Sequence, residues 1–439
     1  MFRSAGAQKY LKNTSWMFVD RVVRLASVFV TGIVMARVLG DDNFGHLNYA
    51  SGFVGLFFAL TAMGLEEIVV RDLVRHPERR DQLLGSAALL KFLGGVTLTL
   101  VVYLGSVLNH MDGFTTTMVM IIALSELLKP LSVVEYYFQS QVKGRLIAQV
   151  NIAQTAASSI FKLALCFAHA PLMWFAWSYV IDTLAAAIGF LFAYDRTGAS
   201  WRKWVPSRTM MGALLGQSWP LIVFGIALYV QAKIDQVMIF DVLKHIMPEK
   251  QAYAEVGQYT VALKMIEALG FVPVIVQKSL APAITRARME GPEKYNDRLL
   301  NFYRLMFLLF LLTAVPLFFI APYAIPFFFG ETYTEAGVLL SLFAVRLFFT
   351  NMGVAKSSFI TNESLFKYSL VTAVVGAGVN IALNYVLIPR WESRGAIVAT
   401  IVSFAISIFL VDLCYKATRP NLKLMVQGIG TFWKLHRFT

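Results

Sequence analysis

SWMFVDRVVRLASVFVTGIVMARVLG, Ser15 to Gly40, is apolar over the length that a bilayer demands. About 20 mostly apolar residues in a helix cross a hydrocarbon core about 30 Å thick. Yet Asp20, Arg21 and Arg24 stand in its first half. A charge at the centre of a bilayer costs roughly 2.5–3.5 kcal/mol on insertion scales. Arg21 and Arg24 are spaced i,i+3, so they share one face of the helix. The stretch therefore reads as a membrane-spanning helix with a polar side that needs a purpose.

The rest of the chain has the same character. Of its 439 residues 57% are hydrophobic and only 15% charged, against about 25% charged in soluble globular proteins. Twelve apolar segments are long enough to span, near 15–39, 44–70, 83–108, 115–142, 147–169, 172–195, 210–242, 253–285, 299–326, 335–361, 366–389 and 394–416. The seventh and eighth are interrupted by Pro220, Pro273 and Pro282. The first segment is too long for a signal-peptide core and lacks a small-residue cleavage site, so it reads as retained. The fold class is an all-α polytopic membrane protein.

Loop charge orients these segments. With the N-terminus in the cytoplasm, 23 Lys and Arg fall in cytoplasmic segments and five (Arg37, Lys244, Lys250, Arg390, Arg394) on the other side. That asymmetry follows the positive-inside rule and puts both termini inside. It also accounts for much of the +13 net charge without invoking nucleic acid.

The longest central polar break, YDRTGASWRKWVPSRT (Tyr194–Thr209), divides the segments six and six. The expected organisation is an N-lobe over 1–195, a cytoplasmic linker over 196–209, a C-lobe over 210–416 and a basic, amphipathic interfacial segment over 417–439. The halves echo each other weakly: Ser15-Trp16 recurs as Ser218-Trp219, and FGHLNYA (Phe44–Ala50) aligns with VGQYTVA (Val256–Ala262). Six spans per repeat give parallel repeats with a path between the lobes. Prolines within spans either line such a path or only shape packing.

Eleven basic residues remain at membrane depth, with acids among them. Each must face a wet cavity, pair, or snorkel to the headgroups. Arg21 and Arg24 fit either the first or the last. Lys264 with Glu267, and Glu126 with Lys129, are spaced to neutralise each other. Lys233 and Asp235 do not share a face. Lys162 and Arg346 lie mid-span, too deep to snorkel easily. Glu66 and Glu67 sit close to Arg71 and could form a solvated helix end. Among the aromatics, Tyr136, Tyr137, Trp174 and Trp177 are open to sugar stacking or to plain packing. Two distant cysteines and six scattered histidines offer neither a disulfide framework nor a metal site, and no GxxxxGK[ST] motif is present.

Two passages, ARVLGDDNFGHLNYA (Ala36–Ala50) and GLEEIVVRDLV (Gly64–Val74), resemble the N-terminal signature of Wzx-type O-antigen and polysaccharide flippases of the MOP superfamily. KIDQVMIFDVL (Lys233–Leu243) and EVGQYTVALKMIEALGFVPVIVQKSLAPAI (Glu255–Ile284) agree with it. The resemblance implies two six-helix lobes in a V with alternating access, a cavity lined by spans 1, 2, 7 and 8, and no enzymatic activity. It implies passage of an undecaprenyl-pyrophosphate-linked oligosaccharide to the periplasmic leaflet of a bacterial inner membrane, in lipopolysaccharide or related polysaccharide assembly. Membrane lipids, a polysaccharide polymerase and a chain-length regulator would be its partners. On that reading Arg24, Arg21, Lys264, Lys233, Arg346 and Lys162 are cavity residues for the pyrophosphate, because guanidinium and ammonium groups match phosphate oxygens. Asp235, Glu267 and Glu66 would serve ion coupling or structural pairing. No resident cofactor is expected; H+ or Na+ is the coupling ion to consider. A MATE-like exporter of organic cations is the competing expectation.

Overall fold

The computed structural model describes residues 5–436, with side chains from Ser15 onward. Arg3 and Arg437 of the basic set lie outside the described residues, and the side chains of Lys9 and Lys12 are likewise outside them. Every regular element among the described residues is helical: α1 Ala5–Gly55, α2 Ala59–Ala62, α3 Leu65–Arg75, α4 Arg80–Leu108, α5 Gly113–Glu126, α6 Val133–Ser140, α7 Gly144–Phe167, α8 Leu172–Asp195, α9 Arg208–Leu243, α10 Glu249–Leu269, α11 Phe271–Glu290, α12 Pro292–Phe329, α13 Thr334–Ala344, α14 Arg346–Asn362, α15 Phe366–Ala405, α16 Val411–Cys414 and α17 Arg419–Gly430, with short 3₁₀ turns and one π-turn between.

Nine helical stretches among the described residues are long and apolar enough to cross a membrane, ten when the bent pair Glu331–Ala344 and Arg346–Asn362 is taken as one. The twelve expected segments are all helical. Ser15–Gly55 and Phe366–Cys414 each hold two of them, separated by a non-helical break where the sequence places the loop. Their breaks are single residues with non-helical backbone, Gly40 (φ 75°) and Glu392 (φ 51°). At Gly40 the absence of a Cβ makes the left-handed φ cheap. By contrast, the expected span 335–361 is broken as that bent pair, and the second and fourth expected spans are broken too. The second is cut into the end of α1, α2 and α3 by a turn at 56–58 and by left-handed Met63 and Gly64. The fourth is cut between α5 and α6 by the 3₁₀ turn Lys129–Ser132, where Pro130 has no N–H to continue the ladder.

The chain forms two compact units that divide at Lys233/Ile234, inside α9, not at the polar break 196–209. The N-terminal part of α9 belongs with the first unit because small residues bring it against the broken second span. Tyr229 packs edge-on to Phe58, and a Cβ on Gly225 would touch Ala59. In this unit α1 packs on α7, and α4 receives both broken spans. A Cβ on Gly94 would lie 2.1 Å from the Leu60 carbonyl oxygen, so only glycine lets α2 approach α4 so closely. In the second unit α12 is the central post, flanked by α11, α13, α14 and α17. The expected interfacial segment is docked there: Met425 is fully buried, and Tyr303 Oη donates to Asn421 Oδ1 at 2.7 Å.

Many large apolar side chains point outward, among them Phe29, Leu104, Leu108, Phe319, Tyr323 and Phe327. A water-soluble surface does not tolerate apolar patches of that extent. On helices of this length they face lipid, and the chain is a multi-pass membrane protein.

Candidate functional site

The first unit carries a polar band where α1, α7 and α8 meet. Arg24 Nη2 stands 3.4 Å from Asp20 Oδ2, one turn back on α1. The same oxygen accepts from Asn151 Nδ2 of α7 at 3.4 Å. Further along α7, Gln154 Nε2 donates to Asp182 Oδ1 of α8 at 2.6 Å, and Lys162 Nζ lies 5.9 Å from the centre of the Tyr179 ring. The Arg24–Asp20 contact is long for a charge-assisted bond, which is ordinarily about 2.7–2.9 Å. Arg24 is 41% exposed, Asp20 14%, and the buried atoms Arg24 Nε and Asp20 Oδ1 have no partner. The pair is therefore loose: Arg24 keeps donors that an incoming anion can take. Arg21 is exposed on the same face.

The second unit has a different centre. Asp235 of α9 is buried and accepts three hydrogen bonds: from Tyr259 Oη of α10 at 2.6 Å, from Asn384 Nδ2 at 2.7 Å and from Thr400 Oγ1 at 2.5 Å. Asn384 and Thr400 flank the Glu392 break of α15. No basic side chain among the described residues is within ion-pair distance of Asp235. Beside it, Asn384 Oδ1 is buried without a donor, and Asn380 Nδ2 donates to Thr400 Oγ1. The donors that hold this buried carboxylate are all neutral. Its neighbours Asn380, Asn384 and Thr400 supply the oxygen atoms that hard cations prefer. Arg346 is half-buried at the start of α14, its guanidinium 5.8 Å from the Phe343 ring and 5.2 Å from Phe404. Phe343 in turn packs on Tyr259.

The remaining sequence candidates are more scattered. Lys233 is half-buried, its stem against Gly55. Lys264 is half-buried and Glu267 exposed. Glu66 is exposed and accepts from Gln139 Nε2 at 2.9 Å. Tyr136 and Tyr137 are built into the core of the first unit, whereas Trp174 and Trp177 stay exposed.

Several membrane-depth charges have structural partners. Glu126 pairs with Lys129 at 2.5 Å, as the spacing suggests, and also accepts from Thr61 at 2.7 Å. Buried Lys91 donates to Ser132 Oγ and Tyr136 Oη. Lys356 pairs with Asp412. Arg304 holds the C-terminal segment through Thr431 Oγ1 at 3.0 Å and the Lys434 carbonyl at 3.2 Å. The partners of Asp235 escape a search for charges because Tyr259, Asn384 and Thr400 are neutral. Their signal is Asn380 and Asn384 at i,i+4 within an otherwise apolar span. Among the described residues no three His, Cys, Asp or Glu side chains cluster as a metal site would require.

The sequence profile of a family described as polysaccharide biosynthesis protein matches residues 10–288. The chain belongs to that family. Among solved structures, an inward-facing multidrug resistance MATE family transporter of the MOP superfamily superposes with a TM-score of 0.72 at 12% identity, over 93% of this chain and 99% of that one. The lipid II flippase MurJ, in an inward closed conformation, gives 0.70 at 15% identity, over 96% and 92%. The MATE multidrug transporter DinF-BH, in complex with R6G, gives 0.61 at 16% identity, over 96% and 98%. Members of the polysaccharide biosynthesis family are thus joined, in this chain, to the fold of MOP-superfamily transporters. No curated protein matches the sequence.

Proposed function

We propose that the chain is a transporter, not an enzyme, which flips an undecaprenyl-pyrophosphate-linked oligosaccharide, an O-antigen or related repeat unit, from the cytoplasmic to the periplasmic leaflet of a bacterial inner membrane. The observation that carries this reading is the loosely paired Arg24 on the first spanning helix of a polysaccharide biosynthesis family member. A pyrophosphate would draw Arg24 away from Asp20, replacing a long, half-solvated contact with a forked one. Asp20 is then left to Asn151. The loop charge asymmetry supports cytoplasmic termini, and an inside-negative potential would favour outward passage of an anion.

Asp235 supplies the coupling site in this reading. It ties α9 and α10 to α15 on both sides of the Glu392 break. Taking up H+ or Na+ there changes which donors it can hold, and so changes how those segments pack. A polysaccharide polymerase and a chain-length regulator would receive the cargo.

The likeness to MATE transporters favours one second reading, export of organic cations. Arg24→Glu separates the two. In cells dependent on this protein it should abolish surface polysaccharide while the protein stays in the membrane. Normal polysaccharide with full expression would overturn the role of Arg24; a changed drug-resistance profile on deletion, with polysaccharide intact, would support the exporter.

A further inference from the structure

The segment RDLVRHPERR, Arg71 to Arg80, carries four arginines and a histidine but no lysine. Membrane topology needs positive charge and is served equally by lysine. Arginine alone offers a planar fork that matches phosphate oxygens. The fold gathers Arg71, Arg75, His76 and Arg79 around a cavity of about 430 Å³ in the first unit, outside the Arg24 band. Arg71 and Arg75, at i,i+4, share a face of the last two turns of α3. The helix ends at His76, and Pro77 starts a 3₁₀ turn that brings Arg79 back to the same cavity. Leu83 of α4 and Met210 of α9 form an apolar part of the wall.

The cationic groups are not equally engaged. Arg71 is held in place, Nε to Asp72 Oδ1 at 2.8 Å and Nη2 to Gln217 Oε1 at 2.6 Å. Asp72, the one carboxylate in the wall, is thereby taken. Arg75 has no hydrogen-bond or ion-pair partner among the described residues. Arg79 has only a 4.0 Å contact with Glu78, which His76 shares at 3.5 Å. Basic residues at a helix C-terminus complement its dipole, which accounts for Arg75 but not for three guanidinium groups turned on one hollow. At about 30 Å³ per water, the cavity has room for a diphosphate group with part of its hydration.

We infer that this cavity is a binding site for a phosphate-bearing anion at the membrane surface, with Arg75 and Arg79 as its free forks and Arg71 as its fixed one. The anion is either the diphosphate of a lipid carrier or the headgroup of an acidic phospholipid. The site goes beyond the flipping reaction and does not depend on it.

The test is calorimetric titration of sodium pyrophosphate into the full chain in phosphatidylcholine nanodiscs at constant ionic strength. Arg75→Glu/Arg79→Glu should weaken binding at least tenfold, Arg75→Lys/Arg79→Lys by an intermediate factor, and Arg24→Glu should leave this component in place. Affinity unchanged in the Glu variant, with a wild-type melting curve, overturns the site; so does loss of the component on Arg24→Glu alone. Repeating the titration in phosphatidylglycerol nanodiscs separates the sources. Competition that disappears in the Glu variant assigns the site to an acidic phospholipid, and persistence of tight pyrophosphate binding assigns it to a diphosphate carrier. Because no polysaccharide is scored, failure here is distinct from failure of the flippase reading.

Discussion

Lys356 Nζ stands 2.8 Å from Asp412 Oδ1, with both side chains almost wholly buried. The ammonium also donates to the Ile408 carbonyl at 2.7 Å and Tyr368 Oη at 3.1 Å, and Tyr368 Oη donates to the same Asp412 oxygen. Ile408 lies in the π-turn Ile406–Leu410, a distortion of the kind that misaligns helical carbonyls with their usual partners. Three spans of the second unit are thus locked at one point. Removing one member of such a pair strands the other. Lys356→Met should lower stability by about 3–5 kcal/mol. Lys356→Met/Asp412→Leu should be markedly less harmful. Thermal unfolding in detergent checks this, and a double variant as unstable as the single would refute it.

Asp235 makes a prediction of another kind. Asparagine can keep the bonds from Tyr259 and Thr400 while removing the charge. Asp235→Asn should therefore fold and reach the membrane, yet lose surface polysaccharide. Any rise in melting temperature that Na+ produces in the wild type should vanish. If Na+ stabilises neither protein, H+ is the ion to test, through the pH dependence of transport in proteoliposomes.

Gly94 separates packing from propensity. A methyl group there collides with the Leu60 backbone, and overpacking costs about 1–3 kcal/mol or more. Gly94→Ala should be destabilising. Gly378→Ala, where a Cβ meets nothing within 4 Å, should be neutral or stabilising by up to about 1 kcal/mol. Comparing the two melting temperatures decides it.

Asp112 lies between spans and caps α5 by accepting from the Phe114 and Thr115 amides at 2.9 and 3.2 Å. Partial burial works to raise its pKa, but the bonds from Thr115 and Phe114, with His46 nearby, outweigh it and hold the carboxyl below its ordinary value. A depressed carboxylate stabilises the fold above its unfolded pKa, about 3.9, and that contribution is lost as pH falls through the lower folded value. Asp112→Ala should cost about 1 kcal/mol at neutral pH, and the gap to wild type should close in acid. A constant gap across the titration would assign the effect to shape, not charge.

The membrane class, the helical segments and the arginine face of the first span could be read from the sequence, because span length and i,i+3 spacing are local properties of a helix in lipid. The pairing of Glu126 with Lys129 was legible for the same reason. Other features required tertiary structure. Gly40 and Glu392 each separate two spans by a single non-helical residue, and Gly94 admits a broken span, since such breaks depend on what packs against them. Lys356 finds Asp412 across 56 residues, and Arg304 finds the C-terminal segment across 127. Asp235 is given neutral partners from two other helices, none conspicuous by charge. Local spacing decides which residues can share a helix face. Only long-range packing decides whether a buried charge is satisfied, and therefore whether it stabilises the fold or remains free to act.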